Sequence, residues 1–81
     1  MKESVFVFDT NNELNYWFKH IVECFRENIK VNNCSKIIES NDTKWYFIHK
    51  VNLKKFMIGR KNINILLHAG ETFERLENEN D

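Results

Sequence analysis

The fold of this chain is decided by residues 4–30, which read SVFVFDTNNELNYWFKHIVECFRENIK. The four residues from Val5 to Phe8 are β-branched or aromatic, a composition typical of a short buried strand. Thr10 and Glu13 then have the spacing of a capping box, in which a hydroxyl and a carboxylate satisfy free amide groups at the start of a helix. The segment therefore predicts a strand that is followed at once by a helix.

The residues after the capping box follow helical spacing. Their apolar side chains recur every three or four positions and so fall on one side of a helix. These side chains are Leu14, Trp17, Phe18, Ile21, Val22, Phe25 and Ile29, and polar residues that include Arg26 and Glu27 fall on the other side. Asn32 and Asn33 tolerate left-handed backbone geometry, which ends helices. We predict one long helix that ends at these two asparagines.

Beyond residue 33 the apolar period changes from about 3.6 to about 2, the period of β-strands. Residues 34–40 and 44–51 are predicted to be strands around a polar turn. Residues 56–58 and 63–67 are predicted to form a hairpin, because the glycine and asparagine between them tolerate positive backbone angles. A short helical turn is expected for residues 71–76.

The predicted architecture is a single α+β domain over residues 1–76. One long helix packs on an antiparallel sheet of three to five strands, in the order strand, helix, strand, strand, strand. Residues 77–81 are expected to form a short acidic C-terminal segment with a frayed end. The strand from residue 44 is apolar on both faces, with Trp45 on one and Tyr46 on the other. Since one helix covers only one face, the other face should meet the C-terminal segment, a second subunit of a homodimer or a ligand.

The charge of the chain is balanced overall and uneven along its length. Twelve Lys and Arg side chains match twelve Asp and Glu side chains, which argues against a strongly basic DNA-coating protein and against an acidic DNA mimic. Residues 44–70, however, contain six basic and no acidic side chains. A surface of one sign concentrates partners of the opposite sign, so this segment predicts an anionic partner.

The same basic segment is rich in aromatic side chains. Sheets that bind single-stranded nucleic acid use aromatic faces to stack on unpaired bases and Lys or Arg to neutralise phosphates. Here Trp45 or Tyr46, whichever faces away from the helix, would stack on a base. The competing interpretation makes the aromatic residues core and the lysines a solvated edge. The candidate residues for binding nucleic acid or another partner are Lys44, Trp45, Tyr46, Lys50, Lys54, Lys55, Arg60 and Lys61.

These features predict a small non-enzymatic protein that binds RNA or a protein–RNA assembly. The main alternative is an inhibitor of a host protein, of the counter-defence or antitoxin kind, that uses the same basic face for protein–protein contact. Asn, Lys, Ile, Phe and Tyr total 38 residues, whereas Gly, Ala, Arg and Pro total 6. AT-rich coding produces such a skew, which favours a phage or another mobile element as the source.

Histidine and cysteine residues suggest two further chemistries. His49 and His68 lie on predicted strands near many cations and could serve as acid and base in a small metal-free ribonuclease. His20 and Cys24 have the spacing of helical metal ligands, but a structural metal site needs four ligands and no paired-cysteine motif supplies them. We therefore predict no catalytic residue, no metal and no other cofactor.

The compartment is predicted from what the sequence lacks. The apolar run near Met1 is too short for a signal peptide, and no apolar run approaches membrane-spanning length. We expect a cytoplasmic protein without a membrane partner. In that compartment Cys24 and Cys34 are expected to remain reduced thiols.

Overall fold

The computed structural model describes residues 2–25 and 28–76. Their elements are β1 (Lys2–Phe8), α1 (Asn11–Cys24), β2 (Lys30–Asn32), β3 (Ile37–Glu39), β4 (Thr43–His49), a 3₁₀ turn (Lys50–Asn52), α2 (Leu53–Met57), β5 (Asn64–Ala69) and β6 (Thr72–Leu76). Two predictions lie outside the described residues: the helical positions of Arg26 and Glu27, and the acidic end at residues 77–81. No helix within the described ranges is long and apolar enough to cross a membrane.

The strands form one six-stranded mixed sheet in the order β2-β3-β4-β1-β5-β6. β1 lies near the centre and runs parallel to both β4 and β5, while the remaining neighbours are antiparallel. The chain is α+β, but the predicted architecture is wrong, because the sheet is neither antiparallel nor limited to five strands. Parallel neighbours need crossover connections. The path from β1 to β4 uses α1, and the path from β4 to β5 uses α2.

The predicted long helix is also wrong, since α1 has 14 residues and ends at Cys24. Its start and its N-cap are as predicted, because the Thr10 hydroxyl accepts a hydrogen bond from the Glu13 amide. The other half of the predicted capping box differs: the Glu13 carboxylate accepts a hydrogen bond from the Thr10 hydroxyl and not from a backbone amide. At its other end Phe25 leaves helical geometry, with φ −115° and ψ 58°. β2 then pairs with β3, so the strand pairing overrides the helical spacing that extends to Ile29.

The prediction also fails for the two segments near the C-terminus. The predicted strand at 56–58 overlaps α2, because the chain must cross from β4 to reach the far side of β1. Gly59 and Asn62 do adopt positive φ angles, of 76° and 60°, but in the connection to β5 rather than in a hairpin turn. The expected helical turn at 71–76 is instead β6, which forms a hairpin with β5.

The core is divided between the two faces of the sheet. On one face α1 covers the buried residues Phe8, Ile38 and Phe47 with its own Leu14 and Phe18. On the other face Val5, Val7 and Tyr46 are buried beneath side chains that include Leu53 and Phe56 of α2. The face left open in the sequence prediction is thus covered by α2. Complete burial of one such side chain stabilises the fold by about 1.5–3 kcal/mol.

Candidate functional site

Five of the predicted site residues lie in one exposed segment, residues 50–61, which contains α2 and the loops on either side of it. Leu53 and Phe56 of α2 face the sheet. Lys54 and Lys55 therefore point away from it, and both are exposed. Lys50 precedes this helix and Lys61 follows it, and both are exposed as well. The crossover that covers the sheet thus also presents the cations.

Arg60 is held in place by two aromatic rings of the core. Its guanidinium carbon lies 4.1 Å from the centroid of the Phe56 ring and 5.1 Å from that of Tyr46. Its Nε donates a hydrogen bond of 2.8 Å to the Phe56 carbonyl. A cation above an aromatic face gains about 0.5–2 kcal/mol, depending on how far it is desolvated. The stack orients the guanidinium and leaves its two terminal nitrogens without a partner among the described residues.

Tyr46 is placed on the face away from α1, but α2 covers it. The residue is only 6% exposed, and its ring packs against Phe56 with the centroids 4.9 Å apart. The Tyr46 hydroxyl donates a hydrogen bond of 3.4 Å to Glu3. Stacking of this ring on a base would require α2 to move. The sequence pattern does not predict that α2 covers Tyr46, because it places Phe56 in a strand.

Lys44 and Trp45 are engaged in local contacts on β4. The Tyr46 hydroxyl raises the pKa of Lys44 above its ordinary value, and the carboxylates of Glu39 and Glu3 add to the increase. The Lys44 ammonium lies 3.7 Å from the Glu39 carboxylate. Trp45 faces α1, with its ring 5.9 Å from that of Phe6. Neither residue is presented to a ligand in the way that Lys54 and Lys55 are.

The cations of this region differ in whether an acidic group lies beside them. Lys50 is 3.6 Å from Asp9, and because both side chains are largely exposed this pair contributes little to stability. The remaining cations of residues 50–61 form no ion pair with any described residue. They are Lys54, Lys55, Arg60 and Lys61, and we call them the four-cation surface. This segment therefore carries a local excess of positive charge among the described residues.

Two large apolar side chains lie in the same segment and were not singled out from the sequence. Val51 is 71% exposed and Ile58 is 77% exposed. Single exposed apolar residues are common on protein surfaces, but these two flank α2 and its lysines. Their spacing in the sequence gave no signal, because each fitted a strand pattern with a buried face.

The two candidate catalytic histidines have separate local roles. The His68 side chain is 4% exposed and packs against Phe8, Trp17 and Phe73, and its Nδ1 lies 3.1 Å from the Glu13 carboxylate. Its Nε2 is buried and has no hydrogen-bond partner among the described residues. His49 accepts a hydrogen bond from the Val51 amide through Nδ1. A substrate would have no access to the His68 ring, so this placement gives the ribonuclease alternative no support.

The cysteines and the remaining histidine do not assemble a larger ligand set. The Cys24 sulfur lies 3.8 Å from Nε2 of His20, one turn away on α1. Within residues 2–25 and 28–76 no three His, Cys, Asp or Glu side chains come together as metal ligands. Cys24 and Cys34 are both exposed free thiols.

Comparison with known proteins gives no match to a protein family, to a curated protein or to a solved structure.

Proposed function

We propose that this chain is a small non-enzymatic protein that binds RNA, alone or within a protein–RNA assembly, through the four-cation surface. The observation that carries the proposal is the set of four neighbouring cations in residues 54–61 without an acidic partner in the described chain. A polyanion gains most from such a surface, because binding releases the counterions condensed on its phosphates.

The contact is expected to be mainly with the phosphate backbone. Lysine ammonium groups act as mobile point charges, whereas the oriented Arg60 guanidinium can donate two parallel hydrogen bonds to one phosphate. Since Tyr46 is buried and Trp45 faces α1, base stacking by these residues does not contribute. RNA would then be bound with little preference for sequence, as is usual where phosphates supply the contacts.

The proposal is tested by removing charge from this surface and, separately, from the rest of the chain. In the test variant Lys54, Lys55 and Lys61 become Gln. In the control variant three other exposed lysines, Lys2, Lys19 and Lys30, become Gln, so both proteins have the same net charge. Binding of a labelled single-stranded RNA is measured by fluorescence anisotropy at ~100 mM salt.

Each lost phosphate contact should weaken binding about fivefold at this salt concentration, so the test variant should bind roughly a hundredfold more weakly than wild type. The control variant should bind within a few-fold of wild type. Equal losses in the two variants would mean that only net charge matters and would contradict the assignment of the site.

A second candidate function follows from the exposed apolar residues of the same segment. A protein-directed inhibitor would use Ile58 and Val51 as apolar contacts beside the cations, because a few well-packed, desolvated side chains carry most of the binding energy at a protein interface. Ile58→Ser should leave RNA affinity unchanged but weaken binding to a protein partner. The coding skew of the chain favours a phage or mobile-element source, and we place the protein in the cytoplasm with its partner.

A further inference from the structure

The outer edge of β6 is open. β6 hydrogen-bonds to β5 on one side and pairs with no other strand of the described chain. Ala69 and Thr72 close the hairpin around a two-residue turn, so they form a hydrogen-bonded pair. Because hydrogen-bonded and non-hydrogen-bonded pairs alternate along an antiparallel ladder, the amide and carbonyl groups of Phe73 and Arg75 point away from β5. Unpaired groups of this kind are a template for another strand.

An exposed aromatic surface of α1 adjoins this edge. Trp17 packs on Phe73, with the ring centroids 5.4 Å apart, and Tyr16 and His20 both pack on Trp17. Tyr16 is 65% exposed. A strand added to β6 would pair with its main-chain groups and would lie near the Trp17 and Phe73 rings.

Symmetry restricts how a second copy can add to the edge. Two identical antiparallel strands in one continuous sheet are related by a two-fold axis perpendicular to it, so one residue must face its own copy. A centre at Glu74 or Arg75 places like charges opposite each other, which is destabilising. A centre at Phe73 brings Glu71, the turn residue just before β6, close to Arg75 of the second copy, twice. It also lets the two Phe73 residues exchange main-chain hydrogen bonds.

We propose that two copies of this chain pair antiparallel through β6, centred on Phe73, and so form a continuous twelve-stranded sheet. The ion pair between the turn residue Glu71 and Arg75 favours this register over those centred on Glu74 and Arg75. Arg75 uses one Nη2 donor on Asn64 of its own chain, and its other donors stay available to the second copy. The pairing does not depend on RNA binding, because the four-cation surface lies outside β6.

The first test is a charge-reversal cycle measured by sedimentation velocity. An interface formed by one edge strand from each copy is small and therefore weak. The wild-type protein should be monomeric at ~1 µM and mainly dimeric at ~300 µM. Glu71→Arg and Arg75→Glu should each be monomeric at ~300 µM, because each opposes like charges. The double variant restores opposite charges and should regain the dimer. A wild-type protein that stays monomeric at ~300 µM, or a double variant that does not recover, would overturn the proposal.

The second test examines the register by cross-linking. Cys24 and Cys34 are first replaced by Ser, and Thr72→Cys and Glu74→Cys are then combined. In the register centred on Phe73 these positions face each other as a non-hydrogen-bonded pair, with Cα atoms about 4.5 Å apart, close enough for a disulfide. The double-cysteine variant should form a covalent dimer under mild oxidation. Glu74→Cys alone should not, and a covalent dimer from that single variant would show the register centred on Glu74 and refute ours.

Discussion

Replacing His68 by Phe is expected to leave the protein at least as stable as wild type, although it removes a buried hydrogen-bonding side chain. The reason is that the imidazole makes one favourable polar contact and leaves one polar atom unsatisfied. Its Nδ1 lies 3.1 Å from Glu13, and its Nε2 is buried without a partner among the described residues. A phenyl ring keeps the packing against the surrounding aromatic residues and removes both polar atoms.

The magnitude follows from these two contacts. The Glu13 carboxylate is 40% exposed, so solvent reduces the lost contact to about 0.5–1 kcal/mol. Removal of a buried unsatisfied polar atom returns about 1–3 kcal/mol. His68→Phe should therefore change the free energy of unfolding by between about zero and 2.5 kcal/mol in the stabilising direction. His68→Ala also loses the ring and leaves a cavity, and should cost about 3 kcal/mol.

The assay is urea unfolding followed by tryptophan fluorescence, since Trp17 packs directly on His68. His20 is the matched control, because it lies on α1, is exposed and also contacts Trp17. His20→Phe should change the free energy of unfolding by less than about 0.5 kcal/mol. If His68→Phe lost more than about 2 kcal/mol, Nε2 would have a hydrogen-bond partner in solution, and the description of a buried, unsatisfied Nε2 would be wrong.

Three further substitutions test the fold, each by the same urea titration. Thr10→Ala removes the N-cap of α1 and should cost about 1 kcal/mol. Lys36 has a positive φ of 57°, and Lys36→Gly removes this backbone strain, which should stabilise the fold by about 1 kcal/mol. The substitution also removes the weak contact between the Lys36 ammonium and the Phe18 ring. Because the gain should exceed this loss, the variant should be no less stable than wild type. Phe56→Ala removes the ring beneath Arg60 and should cost about 2–3 kcal/mol; a loss below about 1 kcal/mol would mean that α2 does not cover the sheet in solution.

The correctly predicted parts of the fold have signals that lie between residues close together in the sequence. The N-cap at Thr10 and the first strand are signals contained within four or five positions, and both are present in the structure. The end of α1 was predicted wrongly, because helical spacing continues to Ile29 while pairing with β3 draws the chain into β2. A helical period records only which side chains can share a face, and it carries no information on a competing strand partner.

The errors in the sheet topology and at residues 56–58 have one cause, the central position of β1. The two strands that run parallel to β1 require crossover connections, and no local sequence pattern predicts a crossover. The segment 56–58 has the composition of a strand, yet its place in the crossover makes it part of α2 and the turn that follows it. The cations were found because charge can be counted along the sequence. The burial of Tyr46 beneath α2 was not predicted, because it depends on where α2 lies in three dimensions.

The central claim is tested most directly by the salt dependence of RNA binding by the wild-type protein. Fluorescence anisotropy with a labelled single-stranded RNA is measured at ~50 and ~200 mM salt. If all four cations of the four-cation surface contact phosphates, the log–log slope should be about −2.8, which is roughly a fifty-fold loss of affinity across this range. No binding at tens of micromolar RNA, or binding that does not change with salt, would contradict the account.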